Sequence, residues 1–369
     1  MKQQPRKIKI REFMAIMISV IGAKATEDTP VGIYHQVQNA AWMIPILTGT
    51  LFILPLYLLL KTLSLFEGKG LFQGIQLIFG RYVGFVICLI LFFIHTLVVS
   101  FDSRTYSDII RSHYFPTTPY IVIYGILMFV CAYGAKRGIE HIGMVAYLIV
   151  FYSFISINIA LLLSLQDTSI ELIFPIWGSG KLEILKASTL RFNLYVEFIV
   201  AALFIPYMTS MKDFKKGTWF TFIIIMIQLS ISILVYICLF DRSLGSIGYP
   251  FHALIRFISI GNFLANVEIL FFPVWIVGSF IRFAVAIYIG ALMFGAIFKI
   301  KDFEYLIPAI TIMYLLIGFI PETPADVSLD FKPLIRNVTG ITYVALAILL
   351  WIVALLKGEF KHAKKKTSV

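Results

Sequence analysis

The chain has 369 residues, of which 60% are hydrophobic and only 14% are charged, and its mean hydropathy is +0.91. A soluble domain carries about 25% charged residues, so this composition indicates a membrane protein without room for a separate soluble domain. The formal net charge of +11 does not indicate a nucleic-acid binder, because the basic residues stand in short clusters between apolar runs.

The apolar runs predict the number of membrane-spanning helices, since one span requires about 20 mostly apolar residues. Runs of this kind lie at 11–34, 40–60, 82–101, 118–135, 141–164, 188–210, 218–240, 263–298, 304–320 and 338–357. We therefore expect an all-α polytopic protein of about ten transmembrane helices, forming a single permease-like domain over 1–369. Most of its 31 Lys and Arg residues fall on one side of these runs, which predicts a cytoplasmic N-terminus (1–10) and a basic cytoplasmic tail (358–369).

Two of the ten predicted helices carry signs of an interruption. In the first, the polar stretch from Gly22 to Pro30 divides an apolar run; the sixth has Glu197 near its middle and Pro206 near its end. Short segments at 71–79 and 251–260 follow the second and seventh helices at matching places. Interrupted helices in corresponding halves are typical of a five-plus-five inverted repeat with a central binding site. Gly22 and Pro206 could also be ordinary kinks, which are common in membrane helices.

Several short motifs in this order resemble one known family, the B subunits of bacterial spore germinant receptors, also called endospore germination permeases. That family belongs to the amino acid–polyamine–organocation transporter superfamily, whose LeuT-like fold is an inverted repeat. The similar stretches are Ile21–Gly22, Phe79–Gly84, Ser100–Arg104, Tyr133–Glu140, Leu203–Pro206, Val267–Glu268 and Val274–Ile276.

The resemblance implies a receptor in the inner membrane of the spore that senses a small nutrient, often an amino acid. It also implies two partners, a membrane-embedded A subunit and a C-subunit lipoprotein. A secondary active transporter of amino acids or related small amines is the alternative, and a scaffold without a ligand is a third. The sequence contains no nucleotide loop, metal-ligand cluster or nucleophile–base arrangement, so we expect neither an enzyme nor a cofactor or metal site.

The resemblance also implies a ligand pocket between the first, third, sixth and eighth helices. Carried over by motif, the pocket positions are Gly22, Ile94, Val98, Glu197 and Arg282. Unwound backbone from Gly22 through Ala23 to Ala25 would present free N–H groups to a ligand carboxylate.

Buried ionisable groups are the other candidates, because a charge at the bilayer centre costs about 2.5–3.5 kcal/mol on insertion scales. Glu197 and Arg282 could form a structural ion pair, could contact a zwitterionic ligand together, or could fail to meet. His95 could relay a proton or be a hydrogen-bonded core residue. Lys24 could be a second partner of a ligand carboxylate, but we favour a charge that reaches the outer membrane interface. Asp102 and Arg104, at the outer end of the third helix, are interpreted as an interfacial salt bridge or a loop anchor.

Overall fold

The computed structural model describes residues 7–66, 68–258 and 268–361. The outermost parts of the predicted cytoplasmic ends, 1–6 and 362–369, lie outside the described residues. The α-helices are α1 (Ile10–Gly22), α2 (Thr29–Val37), α3 (Met43–Leu63), α4 (Leu71–Phe79), α5 (Arg81–His113), α6 (Tyr120–Lys136), α7 (Ile139–Ser164), α8 (Lys181–Leu190), α9 (Glu197–Val200), α10 (Met211–Phe240), α11 (Pro250–Phe257), α12 (Glu268–Phe298), α13 (Ile307–Gly318), α14 (Pro324–Asp326) and α15 (Lys332–Leu356).

Each predicted apolar run corresponds to helical segments of this structure, except that the start of the eighth run, 263–267, lies outside the described residues. Within the described ranges, α3, α5, α7, α10, α12 and α15 are long and apolar enough to cross a membrane, by length and composition. Shorter apolar segments are Tyr120–Lys136, Glu197–Tyr207 and Phe303–Gly318. The prediction of an all-α polytopic membrane protein is therefore confirmed. The ten-helix count and the inverted repeat stay predictions.

The first interruption is present, and it begins later than the sequence suggested. The helix α1 continues into a 3₁₀ turn over Ala23–Ala25, so Gly22 to Ala25 are helical, contrary to the prediction of unwound backbone there. The non-helical residues are 26–28, and α2 then starts with Pro30 in its first turn. Proline suits that position, because the amide it lacks would have had no partner within the helix.

Side chains of two other helices satisfy polar groups around this break. The hydroxyl of Tyr236 donates to the carbonyl of Ala25 at 2.9 Å, and the indole N–H of Trp275 donates to the hydroxyl of Thr26 at 3.0 Å. Irregular backbone is tolerated at membrane depth only where it is buried in protein or lines a water-filled cavity. The break is therefore held by α10 and α12.

The second interruption is also present, but Pro206 does not cause it. The chain leaves α8 at Leu190, forms a 3₁₀ turn over Phe192–Leu194 and becomes α-helical again only from Glu197 to Val200. A further 3₁₀ segment, Ala201–Tyr207, contains Pro206. The carbonyls released between α8 and α9 become important for the site described below.

Two short helices agree with the predicted segments between the spans. The helix α4 has the predicted bounds, and α11 covers 251–257 of the predicted 251–260, of which 259–260 lie outside the described residues. Gly80 has φ +85° directly before α5, and Gly138 has φ +86° directly before α7. A left-handed backbone of this kind is readily adopted only by glycine, which explains two glycines of the recognised motifs.

The third span is longer than predicted, and this moves a charged residue inward. The helix α5 continues from Arg81 to His113, well beyond the expected end at 101. It lies against α4, α6, α12 and α13, whereas α1 lies against α7, α10 and α12. Asp102 therefore lies in the interior of a helix that faces the protein core.

Candidate functional site

Lys24 joins the two interrupted segments. Its ammonium donates to the carbonyls of Asn193 and Leu194 at 2.8 and 3.0 Å, and it pairs with the carboxylate of Glu197 at 2.7 Å. The residue is only 5% exposed. The interpretation of Lys24 as a charge at the membrane interface is therefore wrong. Its ammonium instead satisfies the carbonyls that the second break leaves without helical partners.

Arg282 is held by acidic residues other than Glu197. Its guanidinium lies 2.8 Å from Asp102 and 3.4 Å from Glu27, and it donates to the hydroxyl of Tyr106 at 3.2 Å. The structural ion pair between Glu197 and Arg282, one of the three alternatives, is therefore not formed. Glu197, which the sequence analysis considered as a partner of Arg282, pairs with Lys24 instead. A joint contact of the two residues with a zwitterionic ligand stays a prediction.

Lys332 extends the same network through Asp102. Its ammonium lies 2.7 Å from Asp28 and 3.5 Å from Asp102. The two carboxylate oxygens of Asp102 thus face different cations, one on α12 and one on α15. The predicted Asp102–Arg104 pair is wrong, because Arg104 pairs instead with Asp108, one turn further along α5, at 3.2 Å.

Sequence reasoning missed three members of this network, namely Glu27, Asp28 and Lys332. The first two stand in the middle of an apolar run, which was itself a signal of burial. Lys332 gave no such signal, because it precedes the last apolar run and looked like a connecting residue. Only the packing of α15 against α5 brings its ammonium to Asp102.

A cavity of about 120 Å³ lies beside the network. Its apolar wall includes Ile94 and Val98 from α5, and its charged wall includes Glu197 and Arg282. The structure thus brings four predicted pocket residues together, with room for a small solute or several waters.

Gly22 and Ala23 do not share this cavity. They line a separate space of about 60 Å³, on which Val274 and Trp275 also border. The reason is the later position of the break, which turns Gly22 and Ala23 away from the charged residues and presents Lys24 and Glu27 to the larger cavity. A ligand-binding role for any of the predicted pocket residues stays a prediction.

His95 also lines the larger cavity. Its Nε2 lies 2.9 Å from the carbonyl oxygen of Ala286 on α12, and a carbonyl only accepts, so this nitrogen carries the proton. The contact supports the interpretation as a hydrogen-bonded core residue. The proton relay stays a prediction.

Comparison with known proteins identifies the family of this arrangement. The family described as "Spore germination protein" matches residues 7–327. Among relatives from Bacillus subtilis (strain 168), spore germination protein B2 is 20% identical over 282 residues, covering 76% of this chain and 77% of that protein. Spore germination protein YndE is 22% identical over 354 residues, covering 94% and 96%. Spore germination protein KB is 24% identical over 206 residues, covering 54% and 55%. Because the family match spans most of its length, the chain belongs to the spore germination protein family of permease-type membrane proteins.

Proposed function

We propose that this chain is the B subunit of a spore germinant receptor, located in the inner membrane of the spore with both termini in the cytoplasm. It binds a small nutrient such as an amino acid and triggers germination together with an A subunit and a C lipoprotein. Family membership and the names of the Bacillus subtilis relatives support the germination role. This family is a receptor or permease type and not a known enzyme family.

The observation that carries the ligand-binding part is the cavity bordered by two interrupted segments. Lys24 from the first segment and Glu197 from the second both line it and bind each other. A solute that enters the cavity therefore contacts the residues that hold the two segments together.

Such a contact provides a route from binding to signalling. A ligand shifts a conformational equilibrium only by its difference in affinity between two states. Here the two states would differ in the Lys24–Glu197 bridge, which connects segments lacking continuous backbone hydrogen bonds. The partner subunits would then respond to the altered position of these segments.

The experiment is nutrient-triggered germination of spores that lack this gene. Release of dipicolinic acid is measured for a panel of amino acids, sugars and nucleosides, with the wild-type gene restored as control. Loss of the response to at least one nutrient, recovered on restoration, supports the receptor. Spores that respond normally to every nutrient contradict it.

A secondary active transporter would use the same cavity, so uptake must be measured separately. Purified protein in proteoliposomes is supplied with the nutrient found above, under an imposed proton or sodium gradient. Binding without accumulation supports a receptor. Accumulation driven by the gradient would favour the transporter instead.

A further inference from the structure

Arg336 differs from the other cations that line the larger cavity. Lys24, Arg282 and Lys332 each pair with at least one carboxylate. The Nε of Arg336 donates to the carbonyl of Lys332 at 3.3 Å, but its Nη1 is buried and has no hydrogen-bond partner. Among the described residues, no carboxylate forms an ion pair with it. A buried, charged N–H group without an acceptor is costly, so Nη1 is suited to an acceptor supplied from outside the chain.

The charges around the cavity support the same conclusion. The cations that line it are Lys24, Arg282, Lys332 and Arg336, and the acidic residues that line it are Glu27, Asp102 and Glu197. Four positive groups against three negative groups leave an excess of one positive charge. Two further charged residues, Asp28 and Arg191, lie close to these lining residues. They add one negative and one positive charge, so the excess of one positive charge is unchanged.

Asn193 adds a second unsatisfied group on the cavity wall. Its Oδ1 is buried and has no hydrogen-bond partner among the described residues, and Asn193 borders the cavity. Its backbone nitrogen lies beside Gly340, which is one helical turn beyond Arg336 on α15. Because the amide can be turned over, Asn193 can offer either an acceptor or a donor to a solute near Arg336.

The place where a ligand amine would be expected is already filled. Two backbone carbonyls and a carboxylate form a favourable ammonium site, and here they hold the ammonium of Lys24. The cavity thus contains its own bound ammonium while it lacks a partner for one guanidinium.

We propose that Arg336 is the anion-binding residue of the cavity, and that the ligand is a small solute with a single carboxylate whose amine, if it has one, is not needed for binding. The inference rests on the proposed function only in that the cavity receives a ligand. One carboxylate supplies the acceptor that Nη1 lacks and neutralises the excess charge.

The test measures binding of four probes of similar size to the purified full-length protein by ligand-induced thermal shift. Propionate and L-alanine carry the carboxylate, whereas propionamide and L-alaninamide do not. We expect dose-dependent stabilisation by propionate and L-alanine, and at least about tenfold weaker binding of both amides.

Variants then test the residue itself. Arg336→Gln should weaken propionate binding about ten- to a hundredfold, since a hydrogen bond to a charged group is lost. Arg336→Lys keeps the charge and should lose less. Arg137→Gln, at an exposed arginine whose partner is Tyr133, is the matched control and should bind propionate as the wild type does. If Arg336→Gln does not fold, the ranking of the four probes on the wild type decides.

Three results would overturn the proposal: no stabilisation by either carboxylate, equal binding of the amides, or unchanged propionate binding by Arg336→Gln. These are separable from failure of the receptor role. Gene-dependent germination with an uncharged sugar and no carboxylate binding would keep the receptor and remove the role of Arg336. If the protein binds carboxylates but its loss leaves germination normal, the role of Arg336 is kept and the receptor role is removed.

Discussion

The bridge between the two interrupted segments makes a quantitative prediction for a double-mutant cycle. Lys24→Met leaves the carboxylate of Glu197 without its cation and removes the donor to two backbone carbonyls. We expect it to lower the free energy of unfolding by about 3–5 kcal/mol, the usual cost of breaking a buried pair from one side. Glu197→Gln keeps a hydrogen-bonding oxygen and leaves Lys24 on the carbonyls, so we expect about 1–3 kcal/mol.

The double variant should be less destabilised than the sum of the two single variants. Once Lys24 is gone, the charge of Glu197 no longer has a partner to lose, so its neutralisation relieves an uncompensated carboxylate. We expect a coupling energy of about 1.5–3 kcal/mol between the two positions, in the range found for residues in direct contact.

The assay is unfolding of purified protein in detergent micelles by titration with sodium dodecyl sulfate, followed by circular dichroism. Lys186 and Glu183 form the control pair, with 3.9 Å between charged atoms and side chains that are 65% and 49% exposed. Their coupling should stay below about 0.5 kcal/mol, as for other exposed pairs. Additive effects at Lys24 and Glu197 would refute the reasoning, and so would equal coupling in the control pair.

Two further predictions concern contacts around the site. Tyr236→Phe should lower the free energy of unfolding by about 1–2 kcal/mol, because the carbonyl of Ala25 loses its donor. The control is Tyr343→Phe, which removes a buried hydroxyl that has no hydrogen-bond partner among the described residues. It should be neutral or slightly stabilising in the same titration. Gly318→Ala should cost about 1–3 kcal/mol, because a Cβ there collides with a tyrosine hydroxyl of α6 and a backbone carbonyl of α5. Gly125→Ala, where nothing lies within 4 Å of a Cβ, should instead gain about 0.5–1 kcal/mol by helix propensity, and a loss equal to that of Gly318→Ala would contradict the steric argument.

The sequence was sufficient for the helical segments because each depends on local composition. Apolar runs, glycines before α5 and α7, and polar residues after Gly22 are all visible within a window of one span. The end of α5 was missed for the same reason. Asp102 and Arg104 look like the edge of the bilayer when only their neighbours along the chain are considered, whereas their partners Arg282 and Asp108 keep the helix buried beyond them.

Ion-pair partners could not be predicted from the sequence, because each cation had several acidic residues of suitable depth. Whether Arg282 pairs with Asp102 or with Glu197 depends on whether Lys24 is close enough to bind Glu197. The first break begins about one helical turn later than predicted, so Lys24 rather than Gly22 lines the larger cavity. A displacement of one turn moves a side chain by about 5.4 Å, which exceeds the length of any hydrogen bond.

The central claim is that occupation of the larger cavity by a nutrient triggers germination, and filling the cavity tests it most directly. Val98 lines the cavity from α5, so Val98→Trp should occupy the space a ligand needs. Val122→Trp, on the exposed surface of α6, is the matched control. We predict that spores with Val98→Trp contain normal amounts of the receptor. When given the nutrient that the wild-type receptor senses, they should release dipicolinic acid at less than about a tenth of the wild-type rate. A ligand that cannot bind cannot shift the conformational equilibrium of the receptor. Wild-type release by these spores would contradict the account.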